Sequence, residues 1–125
     1  MSITLERSDG TELRVNAWNW GVLHHLVAKA DLFPAELWEP KRFNGGGTLE
    51  APEAATLADF LAERVLPRLR EGERMFYDGT ITDVADDGTF YREPGELWRN
   101  YSLHRTVLVE VIEFLRKAAG PVSFH

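Results

Sequence analysis

Apolar and polar positions alternate with period two at the start of the chain. Ile3 and Leu5, then Leu13 and Val15, point to two short strands, Ile3 to Arg7 and Glu12 to Asn16. Ser8-Asp9-Gly10 lies between them, and Asp-Gly supplies the positive backbone angles of a tight turn, so a hairpin is expected. The period then changes to that of a helix. Trp18, Trp20, Val22, Leu23, Leu26, Val27 and Ala30 fall on one arc, and Asn16 is placed to cap the first turn. Leu32 to Thr48, with Pro34, Pro40 and the triplet Gly45-Gly46-Gly47, reads as a loop anchored by Trp38 and Phe43. A second helix is expected from Pro52, with Ala54, Leu57, Ala58, Leu61, Val65 and Leu69 as its stripe. Pro67 should kink or end it, because its nitrogen has no hydrogen to give the Glu63 carbonyl.

Met75 to Arg92 shows alternation around Ile81 and Phe90, with Asp86-Asp87-Gly88 between them, which predicts a second hairpin. Ser102 is a candidate N-cap for the last helix, whose stripe is Val107, Leu108, Val111, Ile112, Leu115 and Ala118. In that register His104 falls in the middle of the stripe and should be buried. Gly120 and Pro121 stop the helix, and Pro121 to Phe124 follow as an edge strand. The expected fold is therefore one α+β domain over residues 1–125: an N-terminal β-hairpin, three amphipathic helices, a second hairpin and a short C-terminal edge strand in a small antiparallel sheet.

Asn16 with Trp18 and Trp20, the run from Glu53-Ala54 through Leu61 to Leu66-Pro67, and Phe114-Leu115-Arg116 leading to Gly120 and Phe124 carry a resemblance. With these residues the chain resembles an uncharacterised family of small bacterial proteins built from a similar helix entry, an Ala-rich middle helix and a closing helix with a glycine stop. The resemblance spans both ends and the middle helix but not Met75 to Asn100. It implies a compact α+β fold and no chemistry, and it transfers no site residues.

Composition narrows the function more than it names it. Hydrophobic residues make up 44% of the chain and charged residues 27%, the balance of an ordinary globular protein. There is no cysteine, which removes disulfides, thiolate nucleophiles and cysteine metal sites. With no signal-like N-terminus and no long apolar run, a cytoplasmic setting is expected. The net charge of −6 is concentrated in Glu71 to Glu96, where eight acidic residues meet two basic ones. The rest of the chain balances to zero. Such a segment repels nucleic acid and anionic membranes and favours a basic protein partner or a cation.

The motifs that carry chemistry each fail on a named position. His24 and His25 are adjacent on a helix, about 100° apart, and cannot share one ion. Asp83 to Gly88 resembles a calcium loop only until Ala85 and Pro94 occupy ligand positions. Gly45-Gly46-Gly47-Thr48 lacks the spacing and lysine of a phosphate loop, and Arg64, Arg68, Arg70 and Arg74 are offset by Glu63, Glu71 and Glu73. No catalytic, cofactor-binding or metal-ligating set is assigned.

Two expectations remain. In the first, the chain is a non-enzymatic interaction or accessory protein, of the kind that neutralises a toxin as an immunity protein does. Asp83, Asp86, Asp87, Phe90 and Tyr91 then meet a basic partner. In the alternative, Trp20, Trp38 and Trp98 line a small-molecule or catalytic pocket beside His104. Association of two or more copies through exposed aromatics is a further expectation.

Overall fold

The computed structural model describes residues 2–43 and 45–125; Met1, and Asn44 within the loop expected over Leu32 to Thr48, lie outside the described residues. The first hairpin forms as its alternation predicts. Strand β1 (Ser2–Arg7) pairs antiparallel with β2 (Glu12–Asn16), and Ile3 and Leu5 pack beside Val15 in the core. The turn closes through Arg7 N–H to Thr11 O (2.9 Å) and Gly10 N–H to Arg7 O (2.9 Å), while Asp9 Oδ1 accepts from Thr11 N–H (2.9 Å). Gly10 has φ +87°, a conformation that a side chain would strain.

Asn16 then caps α1 (Ala17–Lys29), its Oδ1 accepting from Asn19 N–H at 2.9 Å. The segment expected as a loop holds a single α-helical turn, α2 (Ala35–Trp38), continued by a 3-10 turn to Arg42 and by the two-residue strand β3 (Thr48–Leu49). Burial of Trp38 explains the added order: its ring is 1% exposed, and the chain must curl to place it there.

The middle helix α3 (Ala51–Phe60) begins with Glu53 reaching back, Oε1 accepting from Glu50 N–H at 2.9 Å. The helical run ends one residue past Pro67, as the proline predicts. It widens first, through a π-helical turn over Leu61–Val65 in which Leu66 N–H bonds the Leu61 carbonyl, and then tightens into a 3-10 turn, Leu66–Arg68. The ring of Pro67 is accommodated by this change of pitch, which keeps Leu61, Val65 and Leu69 in the core.

A second hairpin is present, but its register differs from the expected one. Strand β4 (Arg74–Phe76) pairs with β5 (Ile81–Thr82) around Asp78-Gly79, not around Asp86-Asp87-Gly88. On its other side β4 takes β6 (Ser102–His104), with Met75 opposite Leu103 and both fully buried. This pairing overrides the expected start of the last helix. Ser102 is a strand residue, α4 begins at Arg105 (Arg105–Arg116), and His104 is the N-cap residue with extended backbone, φ −77° and ψ 141°. Strand β7 (Val122–Phe124) then returns beside β1, and β3 adds to its far side.

The result is α+β, with two small antiparallel sheets in the orders β2-β1-β7-β3 and β5-β4-β6. Helix α3 packs on α4, and α1 lies over β6 and the first hairpin. The buried residues form one cluster from Ile3 to Phe124. Among the described residues no helix is long and apolar enough to cross a membrane.

Candidate functional site

Trp20 and Trp38 take no part in a surface pocket. Each is 1% exposed, and both lie against Phe124 at ring-centre distances of 5.9 and 6.4 Å. Their N–H groups are satisfied inside the core, Trp20 Nε1 by the Lys41 carbonyl (2.7 Å) and Trp38 Nε1 by the His24 carbonyl (3.0 Å). His24 returns the bond. Its Nε2 donates to the Trp38 carbonyl at 2.9 Å, and its ring stacks on Trp38 at 4.8 Å and 7°. The pair is thus locked from both sides, which explains a buried histidine without any metal or catalytic duty.

Burial pushes the His24 pKa down, helped by the nearby Arg42 and His25 charges, against the Trp38 carbonyl and Glu39. The sign follows from linkage. Below its ordinary value of 6.5 the unfolded chain takes up a proton that folded His24 resists, so stability falls as pH drops through that value toward the lower folded pKa. We expect the urea midpoint to decline between pH 7 and pH 5. His24→Gln, which keeps a donor for the Trp38 carbonyl, should flatten that decline. An unaltered pH dependence in the variant would contradict the assignment.

Lys41 is the other buried polar residue of this region. Its Nζ donates to the Leu37 carbonyl at 2.7 Å and sits 5.5 Å from the centre of the Phe124 ring. Desolvation lowers its pKa, with Glu53 acting in the opposite direction. Its role is to close the last turn of α2.

The open site lies on the other side of α1. Trp18, in the first turn of that helix, faces the acidic segment, and together with β4, β5 and the 3-10 turn Pro94–Asn100 it encloses a cleft of about 360 Å³. Trp18, Phe76, Phe90, Tyr91 and Trp98 stand in its walls among polar side chains. Trp18 contacts Phe90 (5.9 Å) and Tyr101 (4.9 Å), and Phe76 meets Trp98 edge-on (5.3 Å). Trp18, Phe90 and Trp98 remain 41%, 53% and 44% exposed, an unusual cost for three large apolar rings that sit together. Of the expected pocket residues, then, Trp98 lines this cleft. His104 stands behind Asp86, Nε2 to Oδ2 at 3.6 Å, and about a third of its side chain is exposed. It is not in the apolar stripe of α4, because strand pairing removed it from the helix.

The charges in the cleft are unequal in what they have left to offer. Arg74 is spent internally: Nε donates to the Val84 carbonyl (3.1 Å), a terminal nitrogen to Ser102 Oγ (3.1 Å), and the guanidinium covers Phe76 at 5.0 Å. Arg99 lies on Tyr91 at 4.1 Å and pairs with Glu96 at 3.2 Å. Asp86 and Asp87 are exposed and each uses Oδ1 for a turn, accepting from Gly88 N–H (3.0 Å) and Thr89 N–H (2.9 Å). Hydrogen bonds from the Thr89 hydroxyl and N–H also hold the Asp87 carboxyl below the ordinary carboxylate range. Both carboxylates can accept from further donors, Asp86 with His104 Nε2 already 3.6 Å from its Oδ2. Asp83 is exposed on the approach to the cleft but does not line it.

The segment is held in place by side chains, not by a ladder. Asn100 imitates a strand partner for Tyr91, its Oδ1 accepting from Tyr91 N–H (2.7 Å) and its Nδ2 donating to the Tyr91 carbonyl (2.8 Å). Among the described residues no three His, Asp or Glu side chains converge as metal ligands would. Trp18 and Asn100 were not foreseen as site residues. Trp18 sits on the same arc as core residues, and the asparagine's partner is nine residues away in irregular chain.

No family model, curated protein or solved structure matches this chain.

Proposed function

We propose that this chain is a non-enzymatic binding protein whose cleft receives a basic segment of a partner protein. The observation that supports this reading is the division of labour among the charges: the arginines of the cleft are bonded internally, while Asp86 and Asp87, each with one oxygen in a turn, can still accept from further donors beside three part-exposed aromatic rings. A lysine or arginine side chain entering there meets ring faces for its cationic end and stem, and carboxylate oxygens for its donors. Phe90 and Tyr91 belong to the same wall, and Asp83 adds long-range attraction at its approach. An accessory or immunity-type role, in which a basic protein is neutralised by occupying its charged surface, has this chemistry.

The volume of about 360 Å³ also suits a small organic cation, which would use the same groups. Titration with a short peptide rich in arginine and lysine, beside its charge-inverted counterpart, tests both. The expected result is saturable binding of the basic peptide only, weakening as salt is raised. Equal binding of the acidic peptide would overturn the reading, and so would failure of both a basic peptide and a quaternary ammonium compound to bind.

A further inference from the structure

The larger sheet ends on β2, and the phase of the hairpin decides what that edge presents. Arg7 and Thr11 close the turn with a ladder bond, so Leu5 and Leu13, then Ile3 and Val15, exchange hydrogen bonds across the hairpin. Glu12 and Arg14 do not. Their N–H and C=O groups point away from β1, out of the sheet. Thr4, opposite Arg14, shows the same phase from the other strand, since it bonds His125 in both directions (3.2 and 2.9 Å) on the side away from β2. Among the described residues nothing hydrogen-bonds to the backbone of Glu12 or Arg14, and neither side chain enters an ion pair.

We infer that β2 is an association edge that pairs antiparallel with β2 of a second copy, about a two-fold axis through Leu13. That register places Glu12 opposite Arg14 of the other copy, twice by symmetry. Both residues have outward backbone groups, so four ladder bonds form without disturbing β1. Opposite charges then face each other on the exposed side, and the two half-buried Leu13 side chains meet on the core side. The neighbouring symmetric registers fail. An axis at Arg14 sets that residue against its own copy, and an axis at Glu12 opposes two carboxylates. Charged residues on an edge commonly deter pairing; here their order favours one pairing and penalises the others.

The test is sedimentation velocity of the full chain from micromolar to millimolar concentration, with folding of each variant checked by circular dichroism. A dimer fraction that rises with concentration is expected. Arg14→Glu and Glu12→Arg should each weaken association about tenfold or more, because each turns two attractive pairs into repulsive ones. The double variant carrying both changes should restore it. A chain that stays monomeric throughout overturns the inference, as does a dimer unaffected by either single change, or one lost in the singles and not recovered in the double.

Discussion

Replacing Trp38 with alanine is expected to lower stability by about 3–5 kcal/mol, the usual cost of emptying a large aromatic site in a core. The ring is 1% exposed, stacks on His24 and touches Trp20 and Phe124. Its loss also removes the indole N–H that bonds the His24 carbonyl in the core. Domains of this size are stable by roughly 5–15 kcal/mol, so the loss is a large fraction of the total and the urea midpoint should fall sharply. Trp98→Ala is the control. That side chain is 44% exposed at the cleft, and its removal should change stability by no more than about 1 kcal/mol. Urea denaturation followed by far-ultraviolet circular dichroism measures both. Similar losses for the two variants would mean that the division between core and cleft tryptophans is wrong.

The second large effect is on affinity. Reversing Asp86 and Asp87 to lysine should weaken binding of a basic peptide about tenfold or more for each residue, since an attractive contact at the cleft becomes a repulsive one. Both residues are exposed, and stability should stay within about 1 kcal/mol of the parent. Asp83→Lys lies outside the cleft and should act mainly on the association rate, an effect that salt erases. Calorimetry at two salt concentrations separates the cases. Unchanged affinity in the Asp86 and Asp87 variants would remove the carboxylates from the site.

Much of the fold was legible because its signals are local. The first hairpin, the Asn16 cap and the stripes of α1 and α3 depend on residues a few positions apart. The misplaced hairpin shows where local signals stop. Asp-Gly-Thr occurs three times, at Asp9, Asp78 and Asp87, and each copy makes the same bond from the threonine N–H to the aspartate with a positive-φ glycine between. In the first two, the glycine N–H closes the hairpin on a backbone carbonyl, Arg7 or Phe76. In the third, Asp86 Oδ1 takes that N–H, so the turn forms without its strands.

His104 leaves its expected helical place for a non-local reason. Whether Ser102 starts a helix or a strand depends on β4, which lies about 28 positions earlier and supplies the ladder. The cleft was only half legible. Its acidic residues stood out by composition, whereas Trp18 looked like any other member of an apolar arc. The buried pair of His24 and Trp38, 14 positions apart, needs the intervening turn that no periodicity announced.

The four tryptophans make the decisive measurement possible, because each carries one indole N–H that nuclear magnetic resonance resolves. During titration with an arginine- and lysine-rich peptide, the Trp18 and Trp98 signals should shift while those of Trp20 and Trp38, bonded to the carbonyls of Lys41 and His24, stay in place. Shifts confined to the two core indoles, or no shift in any of the four at saturating peptide, would contradict a basic-segment site in the cleft.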